Sequence, residues 1–208
     1  MTKKYLDRPT KEQINALPEF KGLILDNIYL VHSAEDIAFA REKILQVSHV
    51  GFDTESKPTF VAKEANTGPH LVQICTLDEG FLFSVANEES NPLLAEILES
   101  EKIVKVGFGL KSDRGPVQRK LGVNLNAASE LTSLVKRLGY RQAVGMKPSV
   151  AIVLGENLRK SKKVTLSNWS KEVLTESQML YAANDAYACL RVFLALNERL
   201  DLDQSIRM

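Results

Sequence analysis

The chain has 208 residues, 44% of them hydrophobic and 25% charged, and its 27 basic and 26 acidic residues leave a formal net charge of +1. This is the composition of an ordinary globular protein of one domain, or one domain with a short extension, and it excludes a low-complexity chain. It also excludes a global basic field, so any nucleic-acid binding must come from a local patch. Cys75 and Cys189 each sit in an apolar run and read as small core residues, so no disulfide and a reducing compartment are expected. Residues 1–8 are charged and no run approaches transmembrane length, so a cytoplasmic protein without membrane contact is expected.

In chain order, residues 1–27 carry Pro9, Pro18 and a short helical pattern after Thr10, with Gln13 three residues on. They read as an extension wrapped on a single domain spanning 28–208. A strand is predicted at Ile28–Val31, then a helix opened by Ser33 with Asp36 and running to about Gln46. His49–Glu55 alternates Val50 and Phe52 with Gly51, Asp53 and Glu55, which is a strand pattern. Strands at Leu71–Leu77 and Gly80–Val85 form a hairpin through Asp78, Glu79 and Gly80. A helix from Asn91–Pro92 to about Glu99 precedes a strand at Lys102–Gly107. The next helix begins near Lys111, with Pro116 placed early because proline is tolerated in a first turn and not later. Glu130–Leu138 and Val144–Leu154 are helix-like, Arg159–Lys163 is a basic loop, and residues after about Asn197 read as a tail. An early hairpin followed by alternating strand and helix predicts an α/β fold with a mixed sheet and helices on its faces.

Thr175 with Gln178 opens a helix of about twenty residues, on which Tyr181 and Asp185 share one face with Ala188 and Val192. A carboxylate on an apolar stripe is costly unless a cation or hydrogen-bond donor meets it. Asp53 and Glu55, two apart on a strand, project from one face. Asp113 shares a helical face with Leu110 and Val117. Taken singly these acids have bland readings: a strand ending in solvent for the pair, a carboxylate at a helix N-terminus for Asp113. Together, four acids directed toward one cleft repel one another, and hard divalent ions with oxygen ligands are the ordinary remedy.

The blocks Phe52-Asp53-Thr54-Glu55, Val106 to Asp113 and Tyr181-x-x-x-Asp185 resemble, in order and spacing, the three motifs of the DEDD-type 3′–5′ exonucleases. The stretch Leu166 to Tyr187 is most similar to the branch containing ribonuclease D and the Werner-syndrome exonuclease domain. Tyr181 stands four residues before Asp185, and position 180 is Leu180 rather than histidine, which matches the tyrosine subclass. The resemblance implies a ribonuclease H-like fold and a metal-dependent enzyme using two Mg²⁺ or Mn²⁺ ions. It implies that Asp53 bridges both ions, Glu55 and Asp185 complete one site, Asp113 holds the other, and Tyr181 orients the attacking water. The implied substrate is a single-stranded or frayed 3′ end of DNA or RNA, and the product a nucleoside 5′-monophosphate. A non-catalytic nucleic-acid-binding or assembly module retaining the same fold is the alternative. Gly115-Pro116 departs from the family pattern without removing a ligand.

Around this set, Lys160 and Lys162 in the basic run either hold backbone phosphates or lie on a solvated loop. Phe108 is either core or a wedge against the terminal base. Trp169 is expected to pack rather than stack on a base, and His70 to be structural because hard metals prefer oxygen.

Overall fold

The computed structural model describes residues 5–59 and 67–200; positions 1–4, 60–66 and 201–208, including most of the expected tail, lie outside it. In chain order the elements are α1 (Lys11–Asn15), a single 3-10 turn at Leu25–Asn27, β1 (Ile28–Leu30), α2 (Ala34–Ile44), β2 (His49–Glu55), β3 (Leu71–Cys75), β4 (Gly80–Ser84), α3 (Asn91–Glu99), β5 (Val104–Gly107), α4 (Leu110–Leu121), β6 (Ala128–Glu130), α5 (Leu131–Lys136), α6 (Met146–Leu154), α7 (Lys162–Thr165) and α8 (Glu176–Leu200). The six strands form one mixed sheet in the order β1-β4-β3-β2-β5-β6. β2–β3 and β3–β4 are antiparallel, and the remaining three pairings are parallel.

Three helix starts follow directly from the sequence. Thr10, Ser33 and Thr175 each accept from the backbone N–H three residues on, and Gln13, Asp36 and Gln178 each reach back to the capping residue. Each box satisfies otherwise unpaired amide groups in the first turn.

The two faces of β2 divide the core. Val50 and Phe52 pack under α2, α3 and α4 with Ile44, Phe81, Phe83 and Leu94. The opposite face is covered by α8, whose Ala182, Ala183 and Ala186 meet the sheet beside Leu71, Cys75 and Leu82. Farther along, Val192, Phe193 and Leu196 pack with Leu131, Val135 and Val150. Both cysteines are buried free thiols, and Cys75 Sγ donates to the Ala183 carbonyl (3.2 Å).

Gly51 sets how closely α8 approaches. A Cβ there would stand 1.9 Å from the Ala186 carbonyl oxygen and 3.2 Å from Leu190 Cβ. Only hydrogen fits between strand and helix. The same strand also carries Asp53 and Glu55, so this contact fixes how the acids of β2 face those of α8.

Lys105 of β5 is fully buried, and its ammonium donates to the carbonyls of Ile97 (3.0 Å) and Ser100 (2.7 Å). Those carbonyls close the C-terminal end of α3, where a cation also meets the negative pole of the helix.

Several boundaries differ from expectation. Glu130 ends a strand paired with β5 rather than beginning a helix, because Ala128–Glu130 finds its backbone partners along β5. α8 continues through Leu200, so residues 198–200, expected as tail, are helical. α4 starts at Leu110 and runs to Leu121 with Pro116 in its interior. Proline cannot donate to the carbonyl four residues back, but that residue, Ser112, is exposed and water can serve it. Part of the basic loop is helical, as α7.

Replacing Gly51 with alanine is expected to lower stability by roughly 1–3 kcal/mol through overpacking against α8. Equilibrium denaturation of the full chain measures this, and an unchanged midpoint would contradict the contact.

Candidate active site

Asp53 and Glu55 lie on the α8 face of β2, two residues apart. Asp185 lies on α8, 3% exposed, one turn after Tyr181. Asp113 sits in the first turn of α4, half-buried, where Thr54 Oγ1 donates to its Oδ1 (3.3 Å). The Thr54 backbone N–H donates to Asp53 Oδ1 (2.9 Å). One threonine thus touches acids from two elements.

The electrostatics show these groups in one field. Burial pushes Asp53 up to about 7, and repulsion from Asp185 and Asp113 adds to it. Burial, then Asp53 and Asp185, push Glu55 up to about 8. Asp113 is raised to about 6, chiefly by burial, with the Thr54 hydroxyl opposing and Glu130 adding. Asp185 is raised by burial against the pull of Lys160 and a hydrogen bond from Tyr181.

Lys160 is the cation within this group. Its ammonium stands 2.7 Å from Asp185 Oδ2 and 5.4 Å from the centre of the Tyr181 ring. Burial alone would lower its pKa; Asp185, Tyr181 and Asp53 outweigh that and raise it. The basic run therefore splits. Lys160 turns into the acidic cleft with its side chain 29% exposed, whereas Lys162 opens α7 on the surface. Tyr181 Oη accepts from the Thr165 hydroxyl (2.9 Å), and its ring leans on Trp169 with centroids 5.9 Å apart. Trp169 is 1% exposed and donates Nε1 to the Thr165 carbonyl (3.3 Å), so it packs and does not present a face to a base. Phe108 is half-buried at the end of β5, against the cluster formed by α5, α6 and α8. His70 Nδ1 accepts from the Lys57 backbone N–H (3.1 Å).

Three residues near the acids are not picked out by the sequence as site residues. Glu130 receives the Gly109 and Leu110 N–H groups (3.1 and 2.8 Å) and the Thr132 N–H (3.1 Å), so one carboxylate holds the starts of both α4 and α5. Gly109 supplies the left-handed turn (φ +80°) that leads into α4 and so aims Asp113. Gln73 faces Asp53 across the β2–β3 ladder, fully buried, and among the described residues its Oε1 has no hydrogen-bond partner.

Among the described residues no three His, Cys, Asp or Glu side chains converge tightly enough to enclose an ion. The donor set nonetheless fits hard divalent ions. It is made of carboxylate oxygens, and their proton affinities, raised first by burial and then by mutual repulsion, mark a cost of ionisation that added positive charge relieves.

A mixed six-stranded sheet with acids on its central strand and on helices of both faces is a ribonuclease H-like fold. The chain belongs to the 3′–5′ exonuclease family, whose pattern matches residues 28–201. It is 33% identical over 193 residues to the mouse bifunctional 3′–5′ exonuclease/ATP-dependent helicase WRN, covering 89% of this chain and 13% of that protein. It is 30% identical to the human exonuclease mut-7 homolog, covering 82% of this chain and 22% of that protein. The chain thus corresponds to a small part of either relative. Among solved structures, the Aedes aegypti Nibbler EXO domain superposes with a TM-score of 0.73 at 23% identity, covering 89% of this chain and 94% of that one.

Carboxylates whose pKa is raised on folding oppose the fold once ionised. In EDTA, stability should therefore fall as pH rises from about 4, the unfolded value, through about 7, the folded value of Asp53. Asp53→Asn is expected to stabilise the metal-free protein by about 1–2 kcal/mol at neutral pH and by nothing near pH 4. Denaturation midpoints of both proteins across that range check the sign.

Proposed function

We propose that this chain is a divalent-metal-dependent 3′–5′ exonuclease. It removes nucleotides from single-stranded or frayed 3′ ends of DNA or RNA and releases nucleoside 5′-monophosphates. The observation that carries this reading is the placement of Asp53, Glu55, Asp113 and Asp185 in one electrostatic neighbourhood with Tyr181 a turn before Asp185.

Asp53, Glu55 and Asp185 would hold one Mg²⁺ or Mn²⁺, and Asp113 with Asp53 a second. Such a pair, when bound, lowers the pKa of water and stabilises the leaving oxygen of an in-line displacement. The chain's own groups do the rest. Thr54 keeps Asp53 and Asp113 oriented by one hydrogen bond to each. Tyr181, whose own pKa is raised by burial and by Asp185, stays a neutral phenol and positions the attacking water by hydrogen bonding rather than by taking its proton. Trp169 and Thr165 hold that ring in place. Lys160 lies close enough to the acids to neutralise a phosphate delivered beside Asp185. Lys162, on the surface nearby, extends the positive edge along an incoming backbone, and Phe108 offers a half-buried ring near the start of α4.

The Lys160–Asp185 pair also favours a second reading, since an internal cation on a ligand carboxylate suits a non-catalytic nucleic-acid-binding module. Cleavage decides between them. Pure protein with a 3′-hydroxyl oligonucleotide and Mn²⁺ or Mg²⁺ should release mononucleotides, and EDTA should stop it. Asp53→Ala and Asp185→Ala should each lower kcat by about a thousandfold or more, because the ligands act as a unit. Oligonucleotide binding without cleavage in either metal would establish the second reading instead.

A further inference from the structure

Residues 18–23, part of the segment the sequence offers only as an extension, run between the two elements that bring Lys160 and Asp185 together. On one side they pair with the turn after α6. Asn157 N donates to the Pro18 carbonyl (2.7 Å), Phe20 N donates to the Asn157 carbonyl (3.1 Å), and Lys21 N donates to Glu156 Oε2 (3.1 Å). On the other side they are clasped by α8. Leu23 N donates to Asn184 Oδ1 (2.7 Å), while Asn184 Nδ2 donates to the Leu23 carbonyl (3.1 Å). Two turns along, Arg191 donates to the Lys21 carbonyl (3.2 Å), pairs with Glu156 (3.3 Å) and lies over the Phe20 ring.

The fit at the clasp is tight. A Cβ on Gly22 would stand 1.9 Å from Asn184 Oδ1. A side-chain amide that bonds both backbone groups of one residue also fixes the orientation of its own helix, since losing either bond strands a half-buried polar group. Asn184 is next to Asp185 and three residues after Tyr181. Glu156 and Asn157 stand four and three residues before Lys160. The segment further walls a cavity of about 460 Å³ with Phe20, Gly22 and Leu23, and Tyr181 and Asp185 line the same cavity.

We propose that segment 18–23 is a working part of the nuclease site, in which Asn184 and Gly22 are positioning residues that hold Tyr181 and Asp185 in register with Lys160. This rests on the exonuclease reading above. The clasp acts through the helix and the turn it joins and touches no reacting atom. Small displacements at such a distance are enough to slow chemistry, because catalytic geometry tolerates only fractions of an ångström.

The test uses the full chain with Asn184→Ala, which opens the clasp, and Gly22→Ala, which wedges it. Ile14→Ala is the control, removing a side chain buried at 5% exposure on α1 in the same N-terminal segment. At a temperature where all are folded by circular dichroism, kcat and KM are measured on a 3′-hydroxyl oligonucleotide with Mn²⁺. Mn²⁺ binding without oligonucleotide is measured separately by calorimetry. Both clasp variants should lower kcat/KM about tenfold or more, and weaken Mn²⁺ binding several-fold, whereas Ile14→Ala stays within about twofold in both. Wild-type behaviour of Asn184→Ala in both measurements overturns the proposal, as does an equal loss in Ile14→Ala. Should Gly22→Ala not fold, Arg191→Met, which severs the second tie to α8, takes its place with the same expectation. An inactive wild-type chain would sink the exonuclease reading alone, and the Mn²⁺ comparison would still decide whether the clasp shapes the acid site.

Discussion

The contact between β2 and α8 at Gly51 and Ala186 is the constraint on which the rest of this structure depends. A helix normally stands off a sheet by the depth of two side chains; here one of them is a hydrogen atom. The alanines of α8 continue the close approach, so α8 lies almost on the strand backbone. Apolar burial along Val192, Phe193 and Leu196 holds the far end of that helix down. The near end therefore presents Tyr181 and Asp185 to a strand that already carries Asp53 and Glu55. Packing favourable to the fold thus forces together charges unfavourable to it.

That opposition is carried by buried carboxylates rather than by backbone strain. Raised proton affinities at Asp53, Glu55 and Asp113 express how poorly the folded protein tolerates their ionised forms. Lys160 offsets part of the repulsion, and Thr54 contributes two hydrogen bonds from one residue. A site organised in this way attracts positive charge before any substrate arrives. Stability and chemistry pull in opposite directions at the same atoms, which is common at sites built for reaction.

What was legible in the sequence was what short-range periodicity decides. Residues two apart on β2 and four apart on α8 point the same way whatever surrounds them, so the grouping of Asp53 with Glu55, and of Tyr181 with Asp185, could be read directly. The three capping boxes were equally local. Partners made by tertiary contact were not legible. The Lys160–Asp185 pair spans a turn and a short helix, and nothing in the basic run distinguishes Lys160, which faces inward, from Lys162, which faces out. The Glu130 carboxylate caps two helices only because a three-residue strand places it there, and that strand is too short to show alternation. Gly22 and Asn184 lie at opposite ends of the chain, and a glycine in an irregular segment gives no hint that it has a partner. Pro116 departs from expectation for a related reason: a rule about helix interiors gives way where the residue that loses its partner, Ser112, is exposed.

The order of the acid-bearing elements along the chain has a consequence for how the molecule comes into being. Asp53, Glu55 and Asp113 are all present before α8 is made, but they sit on elements that do not by themselves close a site. Tyr181 and Asp185 come later, on α8, and that helix docks against the bare face of β2 at Gly51 and against residues 18–23, which receive Asn184. During synthesis the acids of β2 and α4 therefore stand without those of α8 until that helix has been made. Assembly of the acid cluster is controlled by topology, and the cluster closes only when α8 packs against β2.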